Sequence, residues 1–174
     1  MTSDSKDAIR SGTTESGAIG FSSHDHAICV ASALGAADRR SAAEGLRLTP
    51  VRRKTLEVLL RAHKAMGAYA ILDELRAAGF GSQPPVAYRA LEFLAAHGFV
   101  HKIERLNAFV ACVDPGCRQD PAFMICKVCD AVAEAPLEPL RQVLGSVASA
   151  AGFEIERTVV ETVGVCSKCA EAAR

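Results

Sequence analysis

Two Cys-x-x-Cys pairs constrain this chain more than any other feature. Cys126 and Cys129 form the first pair, Cys166 and Cys169 the second. The two-residue spacing lets both sulfurs of a pair reach one ion. Two pairs supply four thiolates, the donor set of a closed tetrahedral zinc site with no open position for catalysis. The segment between them is long enough for a strand, a helix and a strand, so the ion would fasten the chain's end to the sheet where that segment begins. Thiol exchange is the competing use of Cys-x-x-Cys.

The N-terminus, Met1 to Asp7, has no apolar signal core, and no run approaches the roughly 18 apolar residues that span a membrane. The expected location is the cytoplasm, where paired cysteines serve more often as metal ligands or redox thiols than as structural disulfides. Cys29 reads as a small buried thiol. The formal net charge of zero hides a division. Leu46 to Arg105 holds 10 Lys and Arg against 5 Asp and Glu, whereas Leu106 to Arg174 holds 6 against 9. A basic middle beside an acidic end suits a polyanion-facing head on a different body.

Along the chain, residues 1–23 are polar without periodicity and read as a disordered tail. His24 and His26 read as surface histidines. Ala27 to Glu44 is alanine-rich and helical, ended by Gly45. Thr49-Pro50 starts a second helix with a hydroxyl cap and Pro in its first turn, and Gly67 is expected to break it. A third helix carries Ala68, Ile71, Leu72, Leu75 and Ala78 on one stripe. A fourth runs from Pro84-Pro85 to Gly98 and buries Ala87, Ala90, Leu91 and Leu94, leaving Tyr88, Arg89 and Glu92 off that stripe. Strands at Phe99–Ile103 and Ala108–Cys112 flank a turn. Three helices and then a hairpin make a winged helix-turn-helix, with the last helix reading DNA.

Residues 113–121 form a polar, Pro- and Gly-containing hinge. Strands at 123–126 and 131–135 follow, then a helix over 136–151 with Leu137, Leu140, Val143, Leu144, Val147 and Ala151 on its apolar face. The alternation over Phe153–Thr162 predicts one more strand. The fold class is α+β: a winged-helix domain over 24–112, the hinge, and a small α/β domain over 122–174 stapled by the four cysteines. No G-x-S-x-G, P-loop or H-E-x-x-H motif occurs, so the chain is not expected to be an enzyme.

Three blocks carry a family resemblance: Arg47-Leu48-Thr49-Pro50-Val51-Arg52, Pro84 to Leu94, and Gly98 to Glu104. In this order they resemble the ferric uptake regulator superfamily, most closely its zinc-sensing branch. The resemblance spans about His24 to Cys169. It implies a homodimer on a palindromic double-stranded operator, repressing metal-uptake genes when the sensed ion is bound. The iron and peroxide branches carry a histidine-rich run before the first Cys-x-x-Cys. Residues 118–123 hold no histidine, which counts against those sensors.

The resemblance also implies a regulatory zinc, making about two zinc ions per chain. Its ligands fall on His101, Cys112 and Glu134. The family's loop histidine is missing, and the loop offers Cys117, Gln119 or Asp120. Thiolate is the better zinc ligand, which favours Cys117. The family's base-contacting tyrosine falls on Tyr69. Arg89 suits a guanine edge, while Tyr88 and Arg52 suit phosphates. Val86-Ala87 stands where the family has Thr-Val. A sensor of another metal, or a thiol redox protein, is the alternative.

Overall fold

The computed structural model describes residues 26–62, 64–81, 83–112 and 121–173, with side chains from Val30 onward. The tail at 1–23, His24, the His26 and Cys29 side chains, Cys117, Gln119, Asp120 and most of the expected hinge lie outside what is described.

The first half is helical. α1 (His26–Ala43), α2 (Pro50–Ala62), α3 (Ala68–Ala77) and α4 (Pro84–Ala96) surround one core. Val30, Leu34 and Ala37 project from one face of α1, and Ile71, Leu72 and Leu75 from α3. In α4 the buried residues are Ala87, Ala90, Leu91 and Leu94, the stripe the periodicity predicts. Pro84 and Pro85 start α4 at its first turn, where a missing N–H costs nothing. Gly98 ends it at φ 67°. Its N–H reaches Ala95 O, and the Phe99 N–H reaches back to Leu94 O at 2.8 Å. That closure drops Phe99 into the core and launches the next strand.

β2 (Val100–Ile103) and β3 (Ala108–Ala111) form the wing. A short strand, β1 (Met66–Gly67), pairs with β3, so the first sheet runs β1-β3-β2. The sequence reading missed β1, and α2 ends at Ala62 rather than at Gly67. A two-residue strand has no period to detect.

The second sheet holds β4 (Ala122–Cys126), β5 (Val132–Ala135) and β6 (Glu161–Gly164) in the order β5-β4-β6. β4 and β5 are antiparallel; β4 and β6 are parallel, joined through α5 (Glu138–Ala150). α6 (Ser167–Ala172) closes the described chain. The strand expected from Phe153 begins only at Glu161. The register pairs Glu161 with Phe123, one residue into β4, so the residues before Val160 run past the start of their partner strand. α5 departs further from expectation. Leu137, just before it, is buried, but Leu140, Val143, Leu144 and Val147 are exposed. Among the described residues its apolar face is left open.

The two sheets share a second core. Ile103 and Val110 of the wing pack with Phe123, Ile125 and Val132 of the second sheet. At roughly 1.5–3 kcal/mol for each fully buried large apolar side chain, this joint outweighs any single surface ion pair. An isolated bridge between Lys64 and Ala131 adds a backbone tie across it. Among the described residues no helix is long and apolar enough to cross a membrane.

Candidate metal centres and nucleic-acid interface

Cys126 ends β4, and a tight turn carries the chain to Cys129. The Cys126 N–H bonds Ala131 O at 2.9 Å, and the Asp130 N–H bonds Cys126 O at 3.0 Å. Asp130 adopts φ 57° to allow this, a conformation that Asn and Asp tolerate best after glycine. The parallel pairing of Cys126 with Gly164 brings the second pair alongside. Cys166 caps α6 and Cys169 lies in its first turn.

The four sulfurs all lie within 4.8 Å of one another. Cys129 Sγ and Cys166 Sγ are 3.8 Å apart. Zinc–sulfur bonds of about 2.3 Å in a tetrahedron put sulfurs about 3.8 Å apart, so the residues present fit the ion. Protonation points the same way. The Cys166 N–H, 3.3 Å from Cys126 Sγ, lowers the Cys126 thiol from 9.0 to about 6, with further help from the Val128 N–H. The Cys166 thiol, then Cys129 and burial, push Cys169 up to about 12. Cys129 is raised too: the Ala131 N–H, its largest influence, lowers it, but burial and Cys126 outweigh that. One thiolate is favoured and its neighbours are held protonated by the shared negative charge, which a common cation would offset.

His101 of β2, Cys112 just beyond β3 and Glu134 of β5 form a second cluster, again with ligand atoms within 4.8 Å of one another. His101 Nε2 lies 3.8 Å from Glu134 Oε1. The His101 ring also stands against Phe123, centroids 5.4 Å apart. Cys112 is buried, and its N–H bonds Phe99 O at 3.0 Å. Imidazole, thiol and carboxylate are zinc donors, and the mixed set leaves room for a fourth. The expected fourth donor, Cys117, lies outside the described residues, as do Gln119 and Asp120.

On the opposite side of the wing, α3, α4 and the hairpin enclose a groove of about 580 Å³. Tyr69 and Tyr88 line it and are exposed at 69% and 42%. Arg89 is exposed beside them, and no ion pair joins it to Glu92 among the described residues. Arg52 is placed differently. Its guanidinium stacks 3.5 Å over the Phe93 ring and donates to Arg47 O at 2.6 Å, so it braces α4 while keeping further donors for a phosphate. Lys102 and Asn107 of the wing also line the groove. Sequence reasoning passed over them; Lys102 and Arg105, at the end of β2 and in the turn, were the available signal.

The ferric uptake regulator family model matches residues 43–163. The chain belongs to the ferric uptake regulator family. It is 37% identical over 139 residues to the zinc uptake regulation protein of Escherichia coli K12, covering 79% of this chain and 81% of that one. Among solved structures it is similar to a zinc uptake regulator complexed with zinc and DNA. That match has a TM-score of 0.78 and 35% identity over 83% of this chain and 97% of the other. It is also similar to holo XcZur, with a TM-score of 0.73 and 40% identity over 80% and 98%. The family is one of transcriptional regulators, and the winged-helix and α/β architecture expected from the sequence is its fold.

Proposed function

We propose that this chain is a zinc-responsive DNA-binding repressor of zinc-uptake genes, acting in the cytoplasm as a homodimer on a palindromic operator. One observation carries the reading. His101, Cys112 and Glu134 converge from the wing, its end and the second sheet. A donor set placed at the joint between two lobes suits sensing better than stapling.

About two zinc ions per chain are proposed. Cys126, Cys129, Cys166 and Cys169 would hold the structural one. His101, Cys112 and Glu134, with Cys117 as the favoured fourth donor, would hold the regulatory one. When bound, zinc supplies a cation that these donors share. The proposed winged-helix domain spans 24–112, the hinge 113–121 and the α/β domain 122–174.

His101 stands on β2, which follows α4 in the chain, while Glu134 belongs to the second sheet. Holding both in one set fixes the angle of α4 against the dimerising body. In a dimer that angle sets the spacing of two recognition helices on DNA. Metal and operator then favour the same arrangement, and each tightens the other by the same factor, typically about 5–150-fold. Arg89 and Tyr69 read bases; Tyr88 and Arg52 contact phosphates. The chain is not an enzyme in this reading.

The exposed apolar face of α5 supports the dimer, because a soluble monomer rarely leaves such a patch uncovered. The test is a titration of labelled operator with protein at buffered free zinc. Binding that tracks free zinc supports the reading. Equal binding after removal of all exchangeable metal overturns it, and a response to nickel in place of zinc would reassign the ion.

A further inference from the structure

Glu161 opens β6, and the structure occupies both its carboxylate oxygens. Oε1 accepts from the Glu104 backbone N–H at 2.6 Å, and Oε2 from the Arg105 N–H at 3.0 Å. These N–H groups begin the turn between β2 and β3, which closes through Asn107 N–H to Glu104 O at 3.1 Å. Turn N–H groups outside the ladder need an acceptor when they meet another surface. A carboxylate spanning two consecutive N–H groups is a charge-assisted pair, stronger than ordinary neutral bonds.

The surrounding charges fit this contact. Glu104 would repel Glu161, but Lys102 Nζ holds its carboxylate at 2.7 Å and Arg157 at 3.3 Å. Lys102, then Arg157, keep the Glu104 carboxyl below its ordinary range. Arg157 belongs to the return from α5 and Lys102 to the wing, so this ion network also crosses the joint. At its far end β6 pairs Gly164 with Cys126 and runs into Cys166. One strand thus reaches from the four-cysteine cluster to the wing turn.

We infer that Glu161 is a positioning residue: a latch, independent of the regulatory metal, that holds the wing turn to the second sheet. The inference rests on the zinc-responsive reading above. The latch and the His101–Glu134 pair cross the same joint at two points along the wing, and two points resist a rotation that one allows. Without the latch, the metal-competent arrangement is less populated before the metal arrives. The apparent regulatory affinity then falls by that fraction.

Two variants attack the contact from opposite sides. Glu161→Gln removes the charge. Arg105→Pro removes one N–H at the second position of the turn, where proline is well tolerated. Each is examined for four-cysteine zinc content, far-UV circular dichroism and operator binding across buffered free zinc. Both should keep the structural zinc and bind operator normally at saturating zinc. Their midpoints should move to free zinc higher by about fivefold or more, the lower end of ordinary coupling. An unmoved midpoint overturns the latch. So does a loss of binding at saturating zinc in step with lost structural zinc, which would mark a merely structural role. If one variant fails to fold, the other decides. If the wild type binds operator without regard to zinc, the functional reading fails instead. Amide exchange at Glu104 and Arg105 then judges the latch alone: faster exchange in Glu161→Gln upholds it, and unchanged exchange rejects it.

Discussion

His101 Nε2 and Glu134 Oε1 face each other 3.8 Å apart across the joint between the two sheets. That separation is too long for a hydrogen bond between those atoms. It is close to that of two atoms sharing an ion, since zinc ligands at about 2.0–2.2 Å stand roughly 3.3–3.6 Å apart in a tetrahedron. Cys112 Sγ completes the triangle from the end of the wing.

Cys112→Ala should therefore spare the fold and abolish zinc-dependent operator binding. Zinc content at limiting free zinc should fall by about one ion per chain, because the proposed set loses a thiolate, a donor that favours zinc. Metal analysis and binding at buffered zinc check this. An unchanged zinc dependence would remove Cys112 from the site.

Cys126→Ser should act on folding instead. Cys126 is buried and accepts the Cys166 N–H. Structural zinc contributes about 10–16 kcal/mol in small zinc-binding peptides, more than most domains have in net stability. The variant should lose that ion and unfold or monomerise the α/β domain. Sedimentation and circular dichroism report it. A dimeric variant with full metal content would reject the structural role.

Local spacing explains what was legible before the structure. Ala87, Ala90, Leu91 and Leu94 repeat at helical period, so the buried stripe of α4 could be read directly. The cysteine pairs could be read because each is local. His101, Cys112 and Glu134 are far apart in the chain, and only resemblance to a known family could group them. Alternation at Phe153 and Ile155 shows amphipathic character but not where the partner strand starts, so the expected strand began too early. The apolar face of α5 was correctly located, yet period alone says nothing of what covers it. Glu161 gave no signal, because its partners are backbone N–H groups that every turn possesses.

The face of α5 yields its own prediction. Val143 and Val147 are 62% and 64% exposed, one turn apart. In a two-fold interface each substitution counts twice. Val143→Glu with Val147→Glu should give a monomer that retains the four-cysteine zinc and binds a palindromic operator weakly. Sedimentation against concentration checks this, and a persistent dimer would place the interface elsewhere.

Arg89 carries the claim about sequence reading. It is exposed on α4, off the buried stripe and beside the groove that Tyr69 and Tyr88 line. A guanidinium there can donate twice to a guanine edge, which discriminates against a wrong base by about 1–3 kcal/mol. Arg89→Ala should lose that amount at the cognate operator and much less on random DNA, flattening the preference. Removing a phosphate contact would weaken both equally and make the salt dependence shallower by about one ion. Binding to cognate and scrambled duplexes across a salt series separates the two. Arg52→Ala is the internal comparison: it should weaken both duplexes alike, with an added stability loss because its guanidinium also covers Phe93. Should Arg89→Ala behave like Arg52→Ala, α4 is anchored through Arg89 rather than informed by it, and base reading falls to Tyr69.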